Sequence, residues 1–171
     1  MRKLVLVLVG VACLAQAQPA PPLRFEEDYE TKEWKEVQVQ LPAYPNPEKL
    51  LRFRTTPINF NFFVDADSVS VASDGVVRFT LLARSSSGAE NVTFEGMRCS
   101  SRQRRTYAFG RSDKTWSKAR DNSWKLFGAA AGVPQYETLA VDYFCPENSI
   151  IPDAKAALNA LRWGSRRDFN R

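Results

Sequence analysis

The fold of this chain is decided by residues 73–83, which read SDGVVRFTLLA. The triplet 73–75 is typical of a tight hairpin turn, in which Gly75 supplies the positive φ angle that other residues avoid. Apolar residues then recur at every second position: Val77, Phe79, Leu81 and Ala83. This period of two predicts a strand with one dry face in an antiparallel sheet.

Further strands are predicted on both sides of this hairpin. The other alternating apolar positions are Phe60, Phe62, Val64, Val69, Val71, Val92, Phe94, Met97, Cys99, Tyr107 and Phe109. The dry positions change from even to odd at Gly96, and such a slip at a glycine predicts a β-bulge. We therefore expect a meander of four or five antiparallel strands between Phe60 and Phe109.

Two more strands are predicted upstream of the meander. The first begins at Trp34, alternates at Val37, Val39 and Leu41, and is stopped by Pro42. The second is a short strand over residues 50–54.

Two helices are predicted downstream. Residues 135–144 carry apolar side chains at helical spacing after Pro134, which suits a first helical turn. Pro152 opens a second helix that closes near Gly164. The predicted fold class is α+β: a single domain with an antiparallel meander sheet and two C-terminal helices packed on one face.

The N-terminus has the pattern of a secretory signal. A basic start and an apolar run over residues 4–14 precede Ala15-Gln16-Ala17, so we expect cleavage between Ala17 and Gln18 and export to the periplasm or cell envelope. The alternative is a lipoprotein in which Cys13 is acylated. The expected organisation is a signal peptide over 1–17, an extended acidic arm over 18–33, the α+β domain over 34–164 and a disordered basic tail over 165–171. The apolar run of the leader is shorter than the roughly 20 residues that span a bilayer, so we do not expect it to be a membrane anchor. We expect no transmembrane segment in the mature chain that remains after cleavage.

Three cysteines occur in the chain, and two remain after the leader is removed. In an exported protein, Cys99 and Cys145 are therefore expected to form one disulfide. The alternative is two separate buried thiols.

The composition excludes several kinds of active site. The chain of 171 residues carries 24 basic and 19 acidic residues, a formal net charge of +5, and no histidine. Serine or cysteine nucleophiles activated by histidine and histidine-ligated metals are therefore excluded. We predict no catalytic residues, no cofactor and no metal site. Asp65, Asp67 and Asp74 are interpreted as turn residues, since they lack the further oxygen ligands that Ca²⁺ requires.

The most unusual feature is a basic stretch over residues 98–125. This stretch contains nine basic and only two acidic residues, with aromatic residues between them in the sequence. Arg98, Arg102 and Arg104 share the even positions of a predicted strand, so we expect an exposed arginine face that binds an anionic partner, with Cys99, Tyr107 and Phe109 buried opposite. The alternative is a solvated face whose charges are met by the acidic residues of segment 24–36.

Several segments resemble the cryptic neisserial protein-like family over residues 25–160. They read FFVD (62–65), SDGVVRF (73–79), VTFEGMRC (92–99), GRSD (110–113), WSKAR (116–120) and YFC (143–145). The resemblance implies a small exported proteobacterial protein of a family without an established activity, and it carries no catalytic residues. A weaker similarity to surface adhesin E-like proteins implies an antiparallel sheet with helices and one disulfide.

The sequence thus favours a non-enzymatic envelope protein that binds an anionic partner, with no nucleic acid involved and an unknown oligomeric state. One alternative is an assembly or structural factor that binds by adding a strand to a sheet edge. Another is an envelope enzyme that uses carboxylates alone, such as Glu95 with Glu90 or Asp142.

Overall fold

The computed structural model describes residues 33–55, 59–128 and 132–164. The signal peptide, its cleavage site between Ala17 and Gln18, Cys13, most of the acidic arm and the basic tail lie outside these ranges. Within them, no helix is long and apolar enough to cross a membrane.

The strands within the described residues form one antiparallel sheet, in which the first six strands are neighbours in chain order. Its strands are β1 (Leu50–Phe53), β2 (Phe60–Val71), β3 (Val76–Ser85), β4 (Glu90–Arg98), β5 (Gln103–Gly110), β6 (Trp116–Lys118) and β7 (Lys125–Leu126). β6 pairs with the end of β5, and the two-residue β7 pairs with its start. The hairpin turn between β2 and β3 has Gly75 at a φ of 76°, as predicted. The strands from β2 to β5 pair in chain order, so the predicted meander is confirmed.

Two helices cover one face of the sheet, here called the inner face. α1 (Pro134–Thr138) begins at the predicted proline and continues as a π-helical turn over Leu139–Phe144. α2 (Ala154–Trp163) is capped by the carboxylate of Asp153, which accepts the Ala156 N–H at 2.7 Å. The predicted α+β class is therefore confirmed.

The core lies between these helices and the inner face. It includes Phe62, Val64, Val77, Phe79, Leu81 and Met97 from the sheet and Tyr136, Leu139, Phe144, Ala157 and Leu161 from the helices. The rings of Phe79 and Phe144 meet with their centroids 5.0 Å apart.

A disulfide fixes the end of the π-helical turn to the sheet. Cys99, just after β4, is bonded to Cys145, and their Cα atoms are 5.4 Å apart, as the sequence predicts. Both cysteines are buried. The bond closes a loop with a sequence separation of 46, which is worth about 4 kcal/mol in the chain-entropy model.

The predicted bulge at Gly96 is wrong, because β4 pairs with β3 in unbroken register. The apparent slip arises because β4 is buried on both faces: Phe94 lies on the side opposite the helices, here called the outer face, and Met97 on the inner face. The register shift lies in β5, between Thr106 and Ala108. The Tyr107 ring lies over Gly96 so closely that a Cβ there would be 2.4 Å from the phenol oxygen.

Residues 34–46, here called the strap, do not form the predicted strand. Instead of pairing at an edge, they hydrogen-bond to groups of the sheet and its turns. The Trp34 indole donates to the Asp74 carbonyl at 2.7 Å, the Val37 N–H donates to the Asp74 carboxylate at 3.0 Å, and the Trp116 indole donates to the Pro42 carbonyl at 2.9 Å. A segment that lies on a face of the sheet cannot join its hydrogen-bond ladder, which explains why the strap is not a strand. The alternating apolar side chains of the strap are partly exposed.

Glu36 is the main ionic anchor of the strap. Its carboxylate accepts hydrogen bonds from Arg105 and from the Tyr107 hydroxyl, each at 2.5 Å, and lies 3.5 Å from Arg78. Arg78 is itself paired with Asp74 at 2.6 Å. Burial and the bond to Glu36 raise the pKa of Tyr107. One residue of the acidic segment 24–36 therefore compensates two arginines of the outer face.

We expect Glu36→Gln to lower the free energy of unfolding by about 2 kcal/mol or more, because it leaves the partly buried Arg105 without its counter-charge and weakens the bond to the Tyr107 hydroxyl, whereas Arg78 keeps Asp74. The matched control is Glu90→Gln, whose partner Arg84 is exposed, and this change should cost less than about 1 kcal/mol. Denaturant unfolding of the two variants provides the comparison. Equal losses would show that the strap is not held by this carboxylate.

Candidate functional site

The three arginines predicted to share an exposed face lie in three different places. Arg98 is on the outer face against the strap. Arg102 is in the turn after β4, with a φ of 51°, and pairs with Glu137 at 2.9 Å. Arg104 is on the inner face, with its guanidinium 4.1 Å from the ring centroid of Tyr136. The prediction of a single solvent-facing arginine strip is therefore wrong.

The turn between β4 and β5 explains the error. Gln103 pairs with Arg98, and Arg104 pairs with Met97, so alternation does not continue from one strand into the next. The expected burial opposite also fails in part: Cys99 is buried, Tyr107 is half-buried, and Phe109 is 49% exposed.

Arg98 also has structural contacts that a free binding group would lack. Its guanidinium lies 4.1 Å from the ring centroid of Trp34 and 5.3 Å from that of Trp124, and it donates hydrogen bonds to Ser101 and Gln103. Replacing this side chain would remove packing of the strap as well as a charge.

A cleft opens on the inner face beyond the part that α1 covers. Its volume is about 540 Å³. It is lined by Thr93 and Glu95 of β4, Arg104, Thr106 and Phe109 of β5, Ser117 and Lys118 of β6, Arg120, Asp121 and Lys125 around β7, and Tyr136 of α1. Clefts of this size with a few convergent polar groups are typical of small-ligand sites.

The cleft is strongly basic. Among the described residues, no carboxylate forms an ion pair with Arg104, Lys118 or Arg120, whereas Lys125 pairs with Asp121 at 2.7 Å. The bond from Lys125 lowers the pKa of Asp121. The unpaired cations therefore leave a net positive charge around the cavity.

Glu95 is the one fully buried carboxyl group of the cleft wall, with 1% of its surface exposed. Its Oε1 accepts hydrogen bonds from the hydroxyls of Thr93 and Tyr136, both at 2.7 Å. Its Oε2 is buried and has no hydrogen-bond partner within the described part of the chain. Burial raises the pKa of Glu95, against the opposing effects of these two hydroxyls and of Arg104.

The structure separates Glu95 from Glu90, one of the two carboxylates that the sequence suggested as its acid–base partner. Glu90 is exposed and pairs with Arg84 at 2.7 Å. Glu95 lies five residues along β4, so the two point to opposite faces. Asp142 lies in the π-helical turn after α1.

Of the aspartates interpreted as turn residues, Asp74 has that role. It accepts the N–H of Val76 and pairs with Arg78, and although burial opposes it, the bonds from Arg78 lower the pKa of Asp74. Asp65 and Asp67 lie within β2 and not in a turn. Asp65 is buried, its burial raises the pKa of its carboxyl group, and its Oδ1 has no hydrogen-bond partner among the described residues.

Sequence reasoning found the basic residues of the cleft but not the cleft. Lys118, Arg120 and Lys125 belong to the basic stretch, whereas Glu95 stood out only as one member of a hypothetical pair. One feature of the sequence could have pointed to Glu95 as a buried carboxyl group. It is a glutamate at an inner-face position of a strand that is otherwise rich in apolar residues.

The comparisons with known proteins give one match. The family model described as the CNP1-like family, cryptic neisserial protein-like, matches residues 29–162, which is more than half of the chain. No curated protein and no solved structure matches.

The raised pKa of Glu95 makes a prediction about stability. The folded protein keeps this proton at pH values where the unfolded chain has lost it, so the free energy of unfolding should fall as pH rises above the usual glutamate range, about 4.3, until Glu95 ionises in the folded state. Glu95→Gln should remove this fall, so its stability relative to the unmodified protein should increase from pH 5 to pH 8. Denaturant unfolding across this range tests it, with Glu90→Gln, at an exposed position of the same strand, measured in parallel as the control. A pH-independent difference for Glu95→Gln would contradict the assignment.

Proposed function

This chain belongs to the CNP1-like family, and we propose that it is a binding protein whose basic cleft takes a small oxyanion: a sulfate, phosphate or carboxylate group. The observation that carries the proposal is the set of unpaired cations around a cavity of about 540 Å³. The anionic partner expected from the basic stretch is thus assigned to the cleft and not to an open sheet face.

The chemistry of the lining supports this assignment. Arginine offers a planar set of donors that matches oxyanions, and Arg104 is held against the Tyr136 ring. Phe109 is half-exposed and adds an apolar wall, so the cleft suits an anion attached to an apolar group.

We propose binding without catalysis. The chain has no histidine, and the glutamates suggested as an acid–base pair, Glu90 and Glu95, point to opposite faces of β4. A binding role needs only the charge and shape that the cleft already has.

The test is sulfate binding by isothermal calorimetry at low salt. The double variant Lys118→Gln with Arg120→Gln should lose on the order of tenfold or more in affinity, because each residue contributes an unpaired positive charge to the cleft lining. Affinity for the unmodified protein should also fall as salt is added, since partly exposed charges are screened.

The matched control is Lys155→Gln with Arg162→Gln. This double change removes the same two charges from exposed positions on α2. It should leave sulfate affinity within about twofold. If both double variants lose affinity equally, net charge and not the cleft causes the binding, and the proposed function is wrong.

We further propose that the protein works after export, in the periplasm or cell envelope. Two features support this. The leader ends in the small-residue pattern Ala15-Gln16-Ala17, and the Cys99–Cys145 disulfide is of a kind that persists in oxidising compartments.

The N-terminus of the protein expressed in a bacterium tests the export proposal. Intact mass and N-terminal sequencing of the envelope fraction should give a chain that starts at Gln18. An acylated N-terminal Cys13 would identify the lipoprotein alternative. An uncleaved cytoplasmic chain would contradict export.

A further inference from the structure

We propose that Glu95 takes part in the cleft as a neutral carboxylic acid, and that it thereby makes the cleft select full anions over zwitterions. The inference rests on the proposed function, because it concerns the ligand of the same site. Glu95 is a specificity-determining residue in this proposal and not a catalytic one.

The burial of Glu95, with one carboxyl oxygen left without a donor among the described residues, favours its neutral form. Oε1 has two donors, the hydroxyls of Thr93 and Tyr136, but Oε2 is buried and receives none from the described residues. An ionised oxygen without a donor is far more costly to bury than a neutral hydroxyl. Arg104 contributes only its field, since no hydrogen bond joins the two side chains among the described residues.

The state of Glu95 decides the charge of the cleft. With Glu95 neutral, the positive charge of Arg104 adds to those of Lys118, Arg120 and Lys125, against Asp121 alone. With Glu95 ionised, a second negative charge would oppose a bound anion and would attract an ammonium group. The neutral form therefore favours a ligand that carries negative charge and no cation.

Other titratable and charged groups also face Glu95. They are Tyr136 from α1, Arg104 from β5, Lys118 from β6, and Arg120, Asp121 and Lys125 around β7. Burial raises the pKa of Tyr136 and the bond from Lys125 lowers that of Asp121, so neither group changes its charge between pH 5 and pH 9. A change in ligand affinity between pH 5 and pH 9 can therefore be assigned to Glu95.

The first experiment measures sulfate affinity from pH 5 to pH 9 for the unmodified protein and for Glu95→Gln. Sulfate keeps its charge over this range. The affinity of the unmodified protein should fall on the order of tenfold as Glu95 ionises, because a negative charge then appears beside the bound anion. Glutamine mimics the neutral acid, so the variant should match the unmodified protein at pH 5 and stay constant.

The second experiment compares two sulfonates at pH 6. Ethanesulfonate is a pure anion, and taurine carries the same sulfonate with an added ammonium group. Ethanesulfonate should bind on the order of tenfold more tightly to the unmodified protein, and Glu95→Gln should keep this preference.

A third measurement needs no variant and covers the case in which Glu95→Gln fails to fold. Calorimetry of sulfate binding in two buffers of different ionisation enthalpy should show net proton uptake by the unmodified protein at the pH where its affinity falls.

A flat profile with equal affinities of the unmodified protein and Glu95→Gln means that Glu95 stays neutral throughout, which agrees with the inference. The inference is overturned by tighter sulfate binding of Glu95→Gln than of the unmodified protein at pH 5, by a fall in affinity without proton uptake, by tighter binding of taurine, or by loss of sulfate binding in folded Glu95→Gln at pH 5. In each of these cases the unmodified protein still binds an anion in the cleft, so the proposed function survives. Failure of the unmodified protein to bind sulfate at any pH would instead overturn both.

Discussion

The central strand β3 is buried on both faces from Val76 to Leu82, so the sheet needs a cover on each side. Side chains of one phase, such as Phe79, pack against the helices. Those of the other phase include Arg78 and Thr80, which are polar and almost fully buried. If only the inner face were covered, the buried side chains on the outer face of β3 would be exposed to water. The rest of the fold covers both faces of this strand.

The two covers are held by different forces. On the inner face, α1 and α2 contribute apolar side chains, and the Cys99–Cys145 bond fixes the end of the π-helical turn. On the outer face, the strap is held largely by hydrogen bonds and charge, with Glu36 between arginines and the Tyr107 hydroxyl. The second cover therefore depends on individual charges, whereas the first depends on buried apolar side chains and the disulfide.

The cleft exists because the helices cover only part of the inner face. The helices pack mainly against β1 to β4, and the inner-face side chains of β5, such as Thr106 and Phe109, line an open cavity. Basic residues near β6 and β7 surround this uncovered region, and Glu95 lies at the boundary between the packed core and the cavity. In our proposal this position lets a buried carboxyl group act on a ligand, because a short distance and low local polarity strengthen its field.

The sequence by itself determined the strand order, the two helices and the disulfide. Each depends on local features: alternation along β3, the turn at Gly75, Pro134 at a helix start, and two cysteines in a chain with a leader. It did not indicate which arginines the acidic segment meets: the alternative for the face of Arg98, Arg102 and Arg104 was compensation by segment 24–36, but Glu36 pairs with Arg78 and Arg105 instead. Only the tertiary structure decided which face each arginine occupies. A turn after Cys99 and a bulge at Tyr107 reset the alternation, and a shift of one residue moves a side chain to the other face of a sheet. The sequence also did not distinguish the strap from a strand. A period of two occurs in any extended segment that has one side against the protein, whether its backbone pairs at a sheet edge or crosses a face.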